Sequence, residues 1–126
     1  MKSTVIAALT LIALVCPARA QDAAAGEKVF VQCRACHQVG ETAKNGVGPV
    51  LNGLFGRHSG SIEGYNYSEA NKKAEIVWSE AAFQDYIVNP MAKVPGTKMA
   101  FAGIKNEKEI ADLWAYLSQF KADGKK

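Results

Sequence analysis

The pentapeptide Cys33-Arg34-Ala35-Cys36-His37 limits what this 126-residue chain can become more than any other feature. On one helical turn, cysteines three residues apart lie on the same side, with the histidine next in line. A thioredoxin-like redox pair would need a strand before the motif and a βαβ surround, and the pattern offers neither. A zinc site would need two more ligands; His58 is the only other histidine, and there is no second C-x-x-C. A disulfide closed across the motif would be strained and would leave the long loops downstream without a cause. Covalent attachment of a haem c accounts for the spacing. The two thiols can reach the two vinyl groups on one side of the macrocycle and form thioethers. The histidine then sits below the iron, in reach through a ring nitrogen.

The first twenty residues read as an export signal. Lys2 gives a positive start, Val5 to Val15 is almost entirely apolar, and Ala18-Arg19-Ala20 supplies the small residues that precede cleavage before Gln21. The apolar run is too short to span a bilayer, which takes about twenty residues. Cys16 follows Val15 where lipoprotein processing would want a small residue, so it belongs to the signal. The expected product is residues 21–126, one domain exported to a periplasm, with only Cys33 and Cys36 left. Nearby thiols in such a compartment normally oxidise, and thioether formation explains why these need not. Losing Lys2 and Arg19 lowers the net charge of +3 by two. No basic stripe remains to suggest a nucleic-acid partner. A composition of 48% hydrophobic and 21% charged residues excludes a disordered or collagenous chain.

Helical signals lie at both ends of the exported part. Asp22 caps a first helix that carries Val29 and Phe30 and runs to about Cys33. Asn106, with Glu109 three residues on, opens a last helix in a capping-box pattern. Along it Ile110, Leu113, Trp114, Leu117 and Phe120 recur at spacings of three and four, a stripe that faces a core. A third helix starts near Ser79, carries Phe83, Tyr86 and Ile87, and stops at Asn89-Pro90. Ser68 to Lys73 makes one or two helical turns. Val39 to Tyr67 holds Gly40, Gly46, Gly48, Pro49, Gly53, Gly56, Gly60 and Gly64 with no strand-like alternation, and Met91 to Gly103 reads as loop. The expected fold class is all-α, with long glycine-rich loops that must wrap something.

The second axial position on the iron has three candidates in the exported chain: Met91, Met99 and His58. Met99 follows Pro95-Gly96-Thr97-Lys98, a rigid turn that can press an extended segment against a flat ring. A thioether there favours Fe(II) and raises the potential, whereas a second histidine would lower it. Met91, just after Pro90, is expected at the surface. His58, inside Gly56-Arg57-His58-Ser59-Gly60, is expected in solvent.

The chain resembles the class I cytochromes c, most closely the bacterial cytochrome c2 group. The matching stretches are Cys33 to His37, Gly48-Pro49, Gly53 to Arg57, Gly64 to Asn71, Trp78, Tyr86 and Pro95 to Gly103, in order along the exported chain. The resemblance implies a small single-haem fold with N- and C-terminal helices packed together and loops around the haem. It implies His37 and Met99 as axial ligands and Cys33 and Cys36 as thioether anchors. It further implies the Pro49 carbonyl as acceptor of the His37 hydrogen bond and Arg57, Tyr67 and Trp78 at the haem propionates. Tyr86, Thr97 and Asn71 would form a polar network beside Met99, and Gly26 and Phe30 would meet Leu113 and Tyr116. Phe83 and Trp114 are assigned to packing.

The implied role is a soluble, monomeric one-electron carrier. It would move electrons from a bc-type complex or other donor to a photosynthetic reaction centre or terminal oxidase, docking briefly on these membrane complexes at an exposed haem edge, without inserting in the membrane. The competing class is a haem enzyme of peroxidase or small-ligand-converting type in which Met99 dissociates. Around the haem edge Lys28, Arg34, Lys44, Lys93, Lys98 and Lys105 remain as rim charges, fewer than in mitochondrial members, so electrostatic steering should be modest.

Overall fold

The computed structural model describes residues 21–126; the export signal assigned to residues 1–20 lies outside the described residues. Among the described residues five α-helices form: α1 Ala23–Phe30, α2 Glu69–Lys73, α3 Glu80–Ile87, α4 Pro90–Lys93 and α5 Glu107–Ser118. A short 3₁₀ turn, Val31–Cys33, extends α1 toward the motif. Each helix is opened by a side-chain oxygen that takes up backbone N–H groups left without helical partners. Asp22 accepts from Ala24 and Ala25, Ser68 from Asn71, Ser79 from Ala82, Asn89 from Ala92, and Asn106 from Lys108 and Glu109. Among the described residues the only β pairing is an isolated bridge between His58 and Val77. None of their helices is long and apolar enough to cross a membrane.

The stretch after α3 departs from the loop expected there. The chain does leave α3 before Pro90, with Asn89 (φ −159°, ψ 85°) outside the helical region that a following proline disfavours. Pro90 then opens α4, a single turn, instead of a loop. Its fixed φ and missing N–H suit the first position of a helix, and the Asn89 side chain supplies the cap.

The packing centre is the crossing of α1 and α5. Gly26 makes it possible: a Cβ built there would lie 1.9 Å from the Asp112 carbonyl oxygen and 2.8 Å from the Tyr116 Cβ. One turn on, the Phe30 and Tyr116 rings meet with centroids 5.4 Å apart. Leu113 and Leu117 are fully buried beneath. Gly26 packs on Asp112 and Tyr116, and Phe30, Leu113 and Tyr116 share one buried cluster. The loops hang from this centre: the Gly53 N–H donates to Phe120 O (2.9 Å) and the Ile104 N–H to Ile87 O (2.9 Å). Residues 56–59 run beside 76–78, with Gly56 N–H on Trp78 O (2.7 Å) and Trp78 N–H on Arg57 O (2.9 Å).

Asp112 is a buried carboxylate inside the crossing, with its side chain 5% exposed. Oδ1 accepts from the Asp22 N–H at the start of α1 (3.0 Å), and Oδ2 pairs with Lys108 Nζ (2.6 Å). Lys108, then the Asp22 N–H, hold its carboxyl below the usual carboxylate range. A depressed carboxylate stabilises the fold at neutral pH, and that contribution fades as pH falls through its folded value.

Two outcomes follow for the crossing. Gly26→Ala forces the helices apart and costs about 3 kcal/mol, the upper end for overpacking, read by urea unfolding of the haem-loaded protein. Asp112→Asn flattens the acid side of the melting-temperature profile relative to the unaltered chain; an unchanged acid slope would show that Asp112 is not the group responsible.

Candidate functional site

A cavity of about 430 Å³ opens among the loops, and residues of the 3₁₀ turn, α2, α3 and α5 reach it along with the loops. Cys33, Cys36 and His37 come to its wall because the 3₁₀ turn continues the winding of α1: the His37 N–H still donates to Cys33 O (2.9 Å). Burial, reinforced by Cys36, pushes the Cys33 thiol up to about 11.

His37 is held by one hydrogen bond. Its Nδ1 lies 2.8 Å from the Pro49 carbonyl, which can only accept, so Nδ1 carries the proton and Nε2 keeps its lone pair. Burial keeps the ring below the usual histidine range; the Pro49 bond opposes this and Arg57 adds to it. Gly48 lets the loop close on the ring, since a Cβ there would lie 2.4 Å from His37 Cε1. The Gly48 N–H in turn donates to Cys36 O (2.8 Å), locking this loop to the motif.

Met99 lines the same cavity, and its sulfur accepts a hydrogen bond from the Tyr86 hydroxyl (3.2 Å). Thr97 Oγ1 accepts from the Met99 N–H (3.2 Å) and donates to Asn71 Oδ1 (2.7 Å). The other two ligand candidates do not line the cavity. His58 is exposed and engaged in its bridge to Val77, and Met91 is half-exposed on α4.

Arg57, Tyr67 and Trp78 also line the cavity. Arg57 Nη1 donates to Val50 O (3.1 Å) and Asn52 O (2.9 Å), while its Nε is buried with no partner among the described residues. Burial draws the guanidinium below its ordinary value, and Tyr67 works against this. The Tyr67 oxygen accepts the Ile62 N–H (3.1 Å), which leaves its own proton free to donate. The Trp78 ring stands edge-on to Tyr86, centroids 4.9 Å apart.

Residues not assigned to the site from the sequence complete the walls. Phe83, expected to serve packing alone, lines the cavity as well as meeting Trp114 at 5.3 Å. Ser68 caps α2 and touches Asn71; its S-x-x-N spacing was a readable cap signal, but its place beside the cavity was not. Tyr65 donates to Val47 O (2.6 Å) and ties two loops together at the cavity. The donor set fits haem c. Two adjacent thiols match two vinyl groups, a fixed imidazole matches the iron, apolar walls match the macrocycle, and the unpaired Arg57 Nε with the Tyr67 hydroxyl matches carboxylates that need compensation.

Arg57→Met removes both charge-assisted bonds to loop carbonyls and should cost about 3 kcal/mol, read by urea unfolding of the haem-loaded protein. An effect below about 0.5 kcal/mol would mean that water takes over those carbonyls.

Comparison with known proteins gives the following. The family model for cytochrome c matches residues 23–121. Cytochrome c2 of Blastochloris viridis is 60% identical over the whole chain and 99% of its own length. Cytochrome c-550 of Nitrobacter winogradskyi is 62% identical over 82% of the chain and 95% of its own. Among solved structures, cytochrome cH from Methylobacterium extorquens superposes with a TM-score of 0.73 at 46% identity, covering 78% of this chain and 98% of that one.

Proposed function

The chain belongs to the cytochrome c family, and from that premise we propose that His37 and Met99 are the two axial ligands of its haem iron. The chain is a one-electron carrier with one covalently attached haem c, and it is not an enzyme. Haem c, when bound, supplies a single iron that alternates between ferrous and ferric states. The observation that carries the ligand reading is that a lone-pair nitrogen fixed by Pro49 and a thioether held by Tyr86 line one cavity.

The remaining roles belong to the chain's own groups. Cys33 and Cys36 anchor by thioethers. Pro49 fixes the His37 ring and tautomer, so the ligand is oriented before any change of charge. Tyr86 keeps the Met99 sulfur in place, which opposes its exchange for an outside ligand and supports carriage over peroxidase-like use. Arg57, Tyr67 and Trp78 compensate the propionates. Leu54, Phe83, Leu113 and Leu117 exclude water, and low dielectric disfavours the extra charge of the ferric state.

Residues 21–126 work in the periplasm after export, and membrane redox complexes are the partners, met transiently by a monomer. Of the six rim cations, Arg34 pairs with Glu27 (3.7 Å) and Lys93 with Asp85, while Lys98 Nζ donates to Asn66 O (3.0 Å). This partial neutralisation supports modest steering. Exposed Met91 supplies apolar contact nearby on α4.

Met99→Ala abolishes the sulfur-to-iron charge-transfer band, lowers the potential and opens the ferric iron to added cyanide or azide. Met91→Ala does none of these. Loss of the band in the Met91 variant would reverse the ligand assignment.

A further inference from the structure

We propose that Asn45, ahead of Gly46, is a site of spontaneous deamidation, and that its conversion to aspartate loosens the turn that closes the cavity beside Tyr65.

The chain contains two Asn-Gly dipeptides, Asn45-Gly46 and Asn52-Gly53. In each, the glycine nitrogen can attack the asparagine Cγ, because glycine has no Cβ to crowd the approach and a permissive backbone. The C–N bond that forms closes a succinimide ring. The side-chain nitrogen leaves as ammonia, carrying the proton that the glycine nitrogen gives up. Water then opens the ring to aspartate or isoaspartate, and no oxidant or further reactant enters.

The fold treats the two dipeptides differently. Asn52 is buried, and its amide is paired both ways with Gly40 (2.9 and 2.8 Å). The Gly53 N–H, the would-be attacker, donates to Phe120 O (2.9 Å) beyond the end of α5. Gly53 has φ +62°, and a Cβ there would lie 2.9 Å from Ala122 Cα. Both the turn and the close approach demand this glycine. Freeing Asn52 takes apart the attachment of its loop to the helix crossing.

Asn45 is exposed. Its Oδ1 accepts the Val50 N–H (2.9 Å), its Nδ2 donates to Glu63 O (3.2 Å), and the Gly46 N–H donates to Gly48 O (2.9 Å). These three bonds join loop to loop, and none reaches a helix. A Cβ at Gly46 would meet only Cys36 O, at an ordinary 3.6 Å, and the residue is not left-handed. Neither turn nor packing demands glycine here. Loops held this way open locally at a small fraction of the free energy of global unfolding, so Asn45 reacts from the folded protein.

Conversion reverses one contact. An aspartate has no N–H to offer, and it sets a carboxylate oxygen against the Glu63 carbonyl where an amide donated. The segment around Glu63 hangs from this tie. Tyr65 lines the cavity and donates to Val47 O (2.6 Å), and the Ile62 N–H donates to the Tyr67 oxygen (3.1 Å). Losing the Glu63 bond frees residues 61–65 to lift from the cavity.

The test holds the haem-loaded protein in mildly alkaline buffer, digests samples over time and weighs the peptides for replacement of amide by acid. The Asn45 peptide converts first, while the Asn52 peptide stays unchanged. Gly46→Ala fits without strain and slows the conversion steeply. Tyr65→Phe removes the neighbouring loop-to-loop bond and speeds it about fivefold, the weight of one hydrogen bond. Asn45→Asp raises amide hydrogen exchange at Ile62 by about the same factor. Conversion of Asn52 before Asn45, or an unaltered rate in either the Gly46 or the Tyr65 variant, would overturn the site. So would an intact Asn45 after a time in which the free peptide of residues 43–50 converts fully. Unchanged exchange at Ile62 in Asn45→Asp would overturn the loosening.

Discussion

One stretch of chain, Val31 to His37, meets two geometric demands at once. It ends α1 in the register that lets Gly26 and Phe30 sit on α5, and it turns two thiols and an imidazole onto one cavity wall. The 3₁₀ turn does this by tightening the helix without breaking its hydrogen-bond run, so His37 still reaches back to Cys33. The cofactor site is thereby mechanically continuous with the helix crossing.

The loops are ordered by a small number of directed polar contacts. Pro49 O on His37, Asn52 paired both ways with Gly40 (2.9 and 2.8 Å), and Arg57 on two carbonyls each fix a segment that has no sheet partner. A chain this small has a limited core. Leu54, Phe83, Leu113 and Leu117 face both that core and the cavity, so the haem shares their apolar surface. Fixed ligands and apolar walls suit an iron that changes charge with little rearrangement around it.

Much of this was legible in the residues. The C-x-x-C-H spacing pointed to the cofactor, and the caps at Asp22, Ser79 and Asn106 marked three helix starts, because each is a local signal carried by a few adjacent side chains. The α5 stripe was readable for the same reason. What stayed hidden depends on distance along the chain. Pro90 was read as a stop, and α3 does end before it; that it also opens α4 stayed hidden, because this depends on the Asn89 side chain turning to cap the new segment. Phe83 looked like packing alone because periodicity marks a buried face without saying whether protein or cofactor covers it. Ser68 carried a cap signal, but only the fold shows that Thr97, twenty-six residues beyond Asn71, reaches the same Asn71 oxygen.

The account turns on a thioether at Met99 standing where an enzyme would keep an open coordination position. Proton NMR of the ferrous protein, with methionine methyl groups labelled and assigned by single substitution, reads this directly. The ring current above an iron-bound methionine moves its methyl signal far upfield. The account predicts one such signal, belonging to Met99, with the Met91 methyl at an ordinary shift. An upfield signal assigned to Met91, or none at all, would contradict it.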